Sequence, residues 1–428
     1  MGSKFRLIVM NFLEYAVWGA YLTCQGRYLG GVGLGEKIGI FYAVQGIVSI
    51  FMPAIIGIIA DKWIQPQRLL GLCHILAGAS MIAAGIYGNM AGDAVQFGVL
   101  FSLYTISVAF FMPTIALSNS VAYVILEKSN LDPVKDFPPI RIWGTIGFIF
   151  SMWLVNIVKV GGVPMQESPM QYIVSGAFSI ILAVYAFTLP KCPIVKTDEK
   201  KSLMEAMGLK AFTLFKDKRM AIFFIFSMLL GVSLQITNGF VNPFLGDFGS
   251  MPQYADSLCV RYSNILISIS QMSETLCILL IPFFMKKFGI KNVMLIAMIA
   301  WVFRFGLLGL GNPGGGVWLF VLSMIIYGVA FDFFNISGSL FVNQETDVSM
   351  RSSAQGLFML MTNGIGATIG TLGAQAVVNA LVNSQRGGAI ENVMTGWSHA
   401  WYIFAAYALV VAILFMILFR ENKKKKIS

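Results

Sequence analysis

Three carboxylates, Glu14, Glu274 and Asp332, lie inside stretches that are otherwise apolar. Glu274 is the plainest case, set within "SISQMSETLCILLIPFF" at 268–284. A charged side chain at the centre of a membrane helix costs roughly 2.5–3.5 kcal/mol on insertion scales. A chain keeps such a group where a proton or a polar ligand must be held. Protonated, the carboxyl is neutral and tolerates apolar surroundings; ionised, it accepts hydrogen bonds from hydroxyls. Amides and aromatics accompany these acids at helical spacing. Gln235, Asn238 and Asn242 share one face, and Asn264, Ser268 and Gln271 share another, with Glu274 one turn on. Glu14, Trp18, Tyr21 and Gln25 make a mixed polar and aromatic stripe, and Tyr327 and Phe331 stack beside Asp332, Asn335 and Ser339. A single Asn or Ser in a membrane helix ordinarily bonds a neighbouring helix. Several amides with carboxylates, mostly in one half of the chain, point instead to a water-filled cavity. Amides bond hydroxyls and ring edges while aromatics cover flat faces, so the set suits a neutral, flat, polyhydroxylated ligand.

The elements that must position these groups follow from composition. Of the 428 residues 57% are hydrophobic and only 12% charged, against about 25% charged in soluble chains. This is an integral membrane protein. Windows of about 20 apolar residues, the length one crossing needs, fall near 6–28, 38–60, 69–90, 95–126, 139–159, 170–189, 219–246, 261–285, 291–311, 315–343, 352–382 and 397–419. The runs are long and do not alternate, which excludes a strand barrel. The first has no small-residue cleavage site and reads as a retained helix, not a signal peptide. Lys4, Arg6, Lys62, Arg68, Lys128, Lys135, Lys286, Lys287, Lys291, Arg351 and the tail gather on one side; fewer bases fall on the other. That asymmetry puts both termini in the cytoplasm. The formal charge of +10 therefore carries no message about nucleic acid, although the terminal "KKKK" suits anionic lipid heads.

One long polar connector divides the chain into a six-helix bundle over 1–190, a cytoplasmic connector over 191–218 and a second bundle over 219–428 with a basic tail. Repeats of this kind mark secondary transporters, whose substrate sits near the bilayer midplane at the repeat interface. "GIIADKWIQPQRLL" resembles the Gly-x-x-x-Asp-Lys/Arg loop of the major facilitator superfamily through Gly57, Asp61 and Lys62. Enzyme chemistry is not visible: there is no phosphate-binding lysine loop, and no Cys pair or His pair stands at metal-ligand spacing. No cofactor or metal is expected. His74 and His399 read as packing or interfacial residues, and Cys24 and Cys259 as unpaired thiols. "GLGNPGGGVW" reads as turn chemistry. By spacing alone Arg141, just after Pro138 and Pro139, reads as a basic residue snorkelling to the inner surface from a helix's first turn.

Longer motifs change that last reading. "DFPPIRIWGTIGFI", "KRMAIFFIFSMLLG", "SISQMSETL", "GIKNVM", "FDFFNISGS" and "AQGLFMLMTNG" together resemble the nucleoside:proton symporter family of the major facilitator superfamily. The resemblance covers essentially the whole chain. It implies a twelve-helix, all-α integral membrane protein of the major facilitator fold, with two pseudo-symmetric six-helix bundles. It further implies a monomer in the bacterial inner membrane that takes up nucleosides (uridine, adenosine and guanosine type) with protons. Positions matching the family's ligand site are Arg141, Thr145, Phe148, Gln235, Asn238, Gln271, Glu274, Tyr327 and Phe331. Glu274 and Asp332 match proton-coupling acids. Glu14 departs from the family pattern, which has an uncharged amide near there, and so joins the proton-coupling candidates. A sugar or oligosaccharide symporter of the same fold is the alternative expectation.

Overall fold

The computed structural model describes residues 2–194, 209–347 and 350–420, without the side chains at 61, 62, 134, 209, 210 and 352. The side chains of Asp61 and Lys62 of the loop motif, residues 195–208 of the connector and the lysine tail therefore lie outside what is described. The chain forms two compact units, Met1–Ala206 and Met207–Ser428.

The first unit is built from α1 (Ser3–Gly19), α2 (Gln25–Gly31), α3 (Ile38–Lys62), α4 (Pro66–Ala91), α5 (Phe97–Lys128), α6 (Pro133–Ile157) and α7 (Met170–Ala186). A two-residue hairpin, β1 (Lys159–Val160) with β2 (Val163–Pro164), turns through Gly161 and Gly162 at positive φ, the backbone a tight hairpin loop demands. The second unit holds α8 (Lys218–Leu234), α9 (Ile236–Asp247), α10 (Leu258–Arg261), α11 (Ser263–Leu310), α12 (Val317–Glu345), α13 (Arg351–Met359), a π-helical stretch Leu360–Gly366, α14 (Ala367–Leu381) and α15 (Ile390–Leu418). Local chemistry sets several ends. Pro66 opens α4 at a position where its missing N–H costs nothing. Asp217 caps α8, its Oδ1 accepting from the backbone N–H of Arg219 and of Met220 at 2.9 Å each. In "GLGNPGGGVW" the Asn312 Oδ1 accepts from the N–H of Gly314 and Gly316, the expected turn.

Among the described residues nine helices are long and apolar enough to cross a membrane, with Met170–Ala186 shorter. Two departures from uniform windows explain why the count differs from the twelve anticipated. The 48-residue α11 turns at Gly289, at φ 76°, a conformation open mainly to glycine. The first window is not one helix, since α1 stops at Gly19 and α2 begins only at Gln25. Helices in lipid approach closely where side chains are small. A Cβ on Gly147 of α6 would sit 2.1 Å from the Phe12 carbonyl oxygen of α1, and one on Gly370 of α14 2.1 Å from that of Val232 in α8. Each unit thus has one glycine-mediated crossing beside its first helix.

Candidate functional site

In the second unit the expected residues converge around α11 and α12. Tyr327 stacks on Phe331 with ring centroids 5.5 Å apart and planes 17° from parallel, as the four-residue spacing predicts. Glu274 and Asp332 lie near enough for their charges to interact, and both act on Tyr327. Asp332 is only 4% exposed, and its Oδ2 has no hydrogen-bond partner among the described residues. The Gln271 Oε1 is also buried without one. A buried acceptor left unpaired costs about 1–3 kcal/mol. Two such oxygens, one on the helix that carries Glu274 and one on the helix that carries the aromatic pair, are acceptors that a polar ligand with hydroxyls would complete.

Gln235 and Asn238 sit at a break. Gln235 is the single residue between α8 and α9, and its Oε1 accepts from Asn238 Nδ2 at 2.8 Å. Asn242 and Asn264 behave differently. Asn242 Nδ2 donates to Asn264 Oδ1 at 3.1 Å, and Asn242 Oδ1 accepts from Ser263 Oγ at 3.0 Å. Both residues are fully buried. This pair ties α9 to α11, so the Asn242 amide is engaged between helices rather than with Gln235 and Asn238.

In the first unit, α6 presents its predicted residues to α1. The Arg141 guanidinium lies 3.9 Å from the centre of the Tyr15 ring, and Phe148 meets Trp18 edge-on at 6.2 Å. Thr145 is half-buried between them in sequence. Arg141 is not in a first turn: α6 begins at Pro133, so Pro138 and Pro139 are interior and Arg141 is held by an aromatic face rather than left to snorkel. Trp18 Nε1 donates to Gln45 Oε1 at 3.3 Å. The stripe from Glu14 to Gln25 is not continuous, because helical spacing fails across 20–24. There the Leu22 carbonyl accepts from the Tyr42 hydroxyl. Gln25 instead donates to the Tyr104 hydroxyl at 3.1 Å, as Gln45 does at 2.8 Å.

Two ionisable residues have more to them than the sequence analysis gives: Arg304, not singled out there, and His74, read there as a packing or interfacial residue. Arg304, 2% exposed in α11, places its guanidinium 4.4 Å over the Tyr327 ring and 6.0 Å from Trp301. Its Nη1 donates to the Ser323 carbonyl at 2.8 Å, while its Nε has no partner. No carboxylate pairs with it among the described residues. The rule that singles out Glu274, a charge within an apolar run, singles out Arg304 in "WVFRFGLL" equally. The second is His74. It is fully buried, not interfacial, and its Nε2 lies 2.9 Å from Glu14 Oε2. All five cysteines are free.

With this geometry in place, the comparisons with known proteins are specific. A family model described as Nucleoside H+ symporter matches residues 1–424. The chain is 47% identical over 427 residues to the xanthosine permease of Escherichia coli, covering 99% of this chain and 97% of that one. It is 44% identical over 424 residues to the nucleoside permease NupG of the same species, covering 98% and 96%. The crystal structure of the nucleoside transporter NupG matches with a TM-score of 0.87 over 99% of this chain and 100% of that one. A D-xylose-proton symporter, 12% identical with a TM-score of 0.72 over 99% of each chain, shares the fold alone. A match of this length leaves one assignment: the chain belongs to the nucleoside H+ symporter family, multi-pass membrane transporters and not enzymes, with the major facilitator fold.

Proposed function

We propose that this symporter carries purine and pyrimidine nucleosides, of the uridine, adenosine and guanosine type, into a bacterial cell together with protons. It works by alternating access, as a monomer in the inner membrane with both termini cytoplasmic. The bundles are 1–190 and 219–428, joined by the cytoplasmic connector 191–218. The distribution of Lys and Arg supports that orientation. Gly57, Asp61 and Lys62, in the last turns of α3, form the motif that controls the conformational change.

The observation that supports the recognition reading is the pair of buried, unpartnered oxygens on Gln271 and Asp332, on the same two helices as Glu274 and the Tyr327–Phe331 stack. A nucleoside supplies what each lacks: hydroxyl and N–H donors for the oxygens and a flat base for the rings. Gln235, Asn238 and Glu274 extend the polar set in the second unit. Arg141, Thr145 and Phe148 form the first unit's contribution. Glu274 and Asp332 carry the coupled proton between them, and Glu14 supports coupling from the first unit. Ligand and proton then bias the same conformational equilibrium, which is what coupling requires.

The test is uptake of radiolabelled uridine and guanosine into proteoliposomes, with and without an imposed inward proton gradient. Accumulation above the external concentration only with the gradient, blocked by excess unlabelled nucleoside and not by hexose, is the expected result. Competition by hexose alone would move the chain to the sugar symporters.

A further inference from the structure

The strongest unassigned feature lies in the first unit, where four helices meet around Glu14. His74 of α4 places Nε2 2.9 Å from Glu14 Oε2 and Nδ1 2.9 Å from Ser179 Oγ on α7. The same Ser179 hydroxyl stands 2.9 Å from the His74 carbonyl oxygen. On the other side, Thr114 Oγ1 of α5 is 2.6 Å from Glu14 Oε1 and 2.5 Å from the Phe111 carbonyl oxygen. Glu14, His74 and Thr114 are fully buried and Ser179 is 1% exposed. We propose that Glu14 and His74, with Ser179 and Thr114, form a second proton-binding site, loaded and emptied within the transport cycle.

The contacts of this cluster outnumber the protons its side chains bring. The contacts form a single chain: carbonyl, Ser179 hydroxyl, imidazole, carboxyl, Thr114 hydroxyl, carbonyl. Both ends are carbonyl oxygens, which only accept. Five contacts therefore call for five protons. Each hydroxyl brings one and a neutral imidazole one, so with Glu14 ionised the chain holds three protons and a net negative charge. One more proton, on Nε2 or on Oε2, makes the cluster neutral and completes another hydrogen bond. A buried net charge is costly and a buried unfilled contact is costly as well, so both terms favour the added proton. A fifth proton completes the last bond and leaves a net positive charge.

Among the described residues His74 is the one basic group in ion-pair contact with Glu14. On α4 the Cys73 thiol is near enough to interact with Glu14. On α6 the Arg141 guanidinium is turned onto Tyr15, the next residue along α1. α5 and α7 offer the two hydroxyls. Because the chain draws on α1, α4, α5 and α7, a small shift of any one of them breaks a contact and lowers proton affinity. That differential affinity is the requirement for a proton to drive a conformational change.

This inference rests on the symport reading, and one experiment separates the two. In proteoliposomes, the proton gradient that just balances an opposing uridine gradient gives the number of protons moved per uridine. In Glu14→Gln and in His74→Gln that number should fall by about one relative to the parent. Infrared difference spectra of the parent between about pH 5 and pH 8 should show a band, from the carboxylic-acid C=O or from the imidazolium ring, that Glu14→Gln abolishes. Should neither variant fold, Thr114→Val, which keeps the shape and removes one hydroxyl bond, should shift that band. An unchanged proton count in folded variants, or a band indifferent to Thr114→Val, overturns the site. Absence of uridine counterflow in the parent, by contrast, overturns the symport reading itself.

Discussion

In the first unit Glu14 meets a histidine and a threonine, and each side chain of that cluster makes a hydrogen-bonding contact. In the second, Asp332 keeps a buried oxygen that bonds to nothing described, and Arg304 is buried over an aromatic ring with no carboxylate paired to it among the described residues. Both units bury ionisable groups among apolar helices, yet they compensate them in opposite ways. A network closed on itself can store a proton but has no hydrogen-bonding capacity left for a ligand. A set with unfilled acceptors is less stable alone and gains most from a ligand that fills them. The contrast fits the proposed proton storage at Glu14 and the proposed recognition with proton exchange around Glu274 and Asp332, and each of these roles can be broken.

The largest effect should come from Glu274. Glu274→Gln imitates the protonated carboxyl, so proton-driven accumulation of uridine should be lost while counterflow, which requires no net proton release, continues. Asp332→Asn is the comparison, since the two acids feel one another, and it should also uncouple. Glu14→Gln should give the milder defect. If Glu274→Gln concentrates uridine as well as the parent, with the same dependence on external pH, the proton passes through Asp332 or Glu14 and the contrast between the units is wrong.

Next in size is Arg304. Arg304→Met keeps the length and removes the charge that faces Tyr327. Cation–π contacts of this kind are worth about 0.5–2 kcal/mol, so uridine Kd should rise by roughly two- to thirtyfold if the cation fixes the ring that the base meets. Combined with Tyr327→Leu the loss should be less than additive, because both changes act on one ring. Additive losses in purified protein would show that Arg304 acts elsewhere.

How far the sequence reveals this arrangement differs by feature. Apolar run length and basic loops locate the spans, because lipid imposes a length on every crossing. The i to i+4 spacing predicts the Tyr327–Phe331 stack, because both lie on one unbroken helix. The same rule fails from Glu14 to Gln25, where the Tyr42 hydroxyl, 20 residues away, takes the Leu22 carbonyl. The π-helical stretch at Leu360–Gly366 is equally hidden, since it faces the close approach of Gly231 to the Thr362 carbonyl. His74 meets Glu14 across 60 residues, and no local pattern announces that pairing. Arg304 was legible. A buried base deserves the same suspicion as a buried acid, and reading basic residues only for orientation hides it.

Smaller effects should follow in the amides at the helix break. Gln235→Ala or Asn238→Ala removes one side of the 2.8 Å bond between them and one hydrogen-bonding group offered to the ligand. A neutral bond of this type is worth about 0.5–1.5 kcal/mol, so uridine binding should weaken by a few-fold in protein that still folds. Unchanged Kd in both variants would leave the break as a purely structural feature.

The smallest functional effect should be that of Asn242, the residue that sequence spacing groups with Gln235 and Asn238. Its amide is spent on Asn264 and Ser263 and its side chain is fully buried. Interhelical hydrogen bonds in membranes average about 0.6 kcal/mol in double-mutant cycles. Asn242→Ala loses two of them, so its melting temperature in detergent should fall measurably while uridine Kd stays at the parent value. The opposite pattern, a weakened Kd at constant melting temperature, would return Asn242 to the ligand set. It would also mean that the pairing with Asn264 opens when nucleoside binds, and the second unit would then contain a closed network that behaves as an open one. A double-mutant cycle with Asn264→Ala decides between these outcomes: strong coupling in stability with none in binding keeps the pair structural.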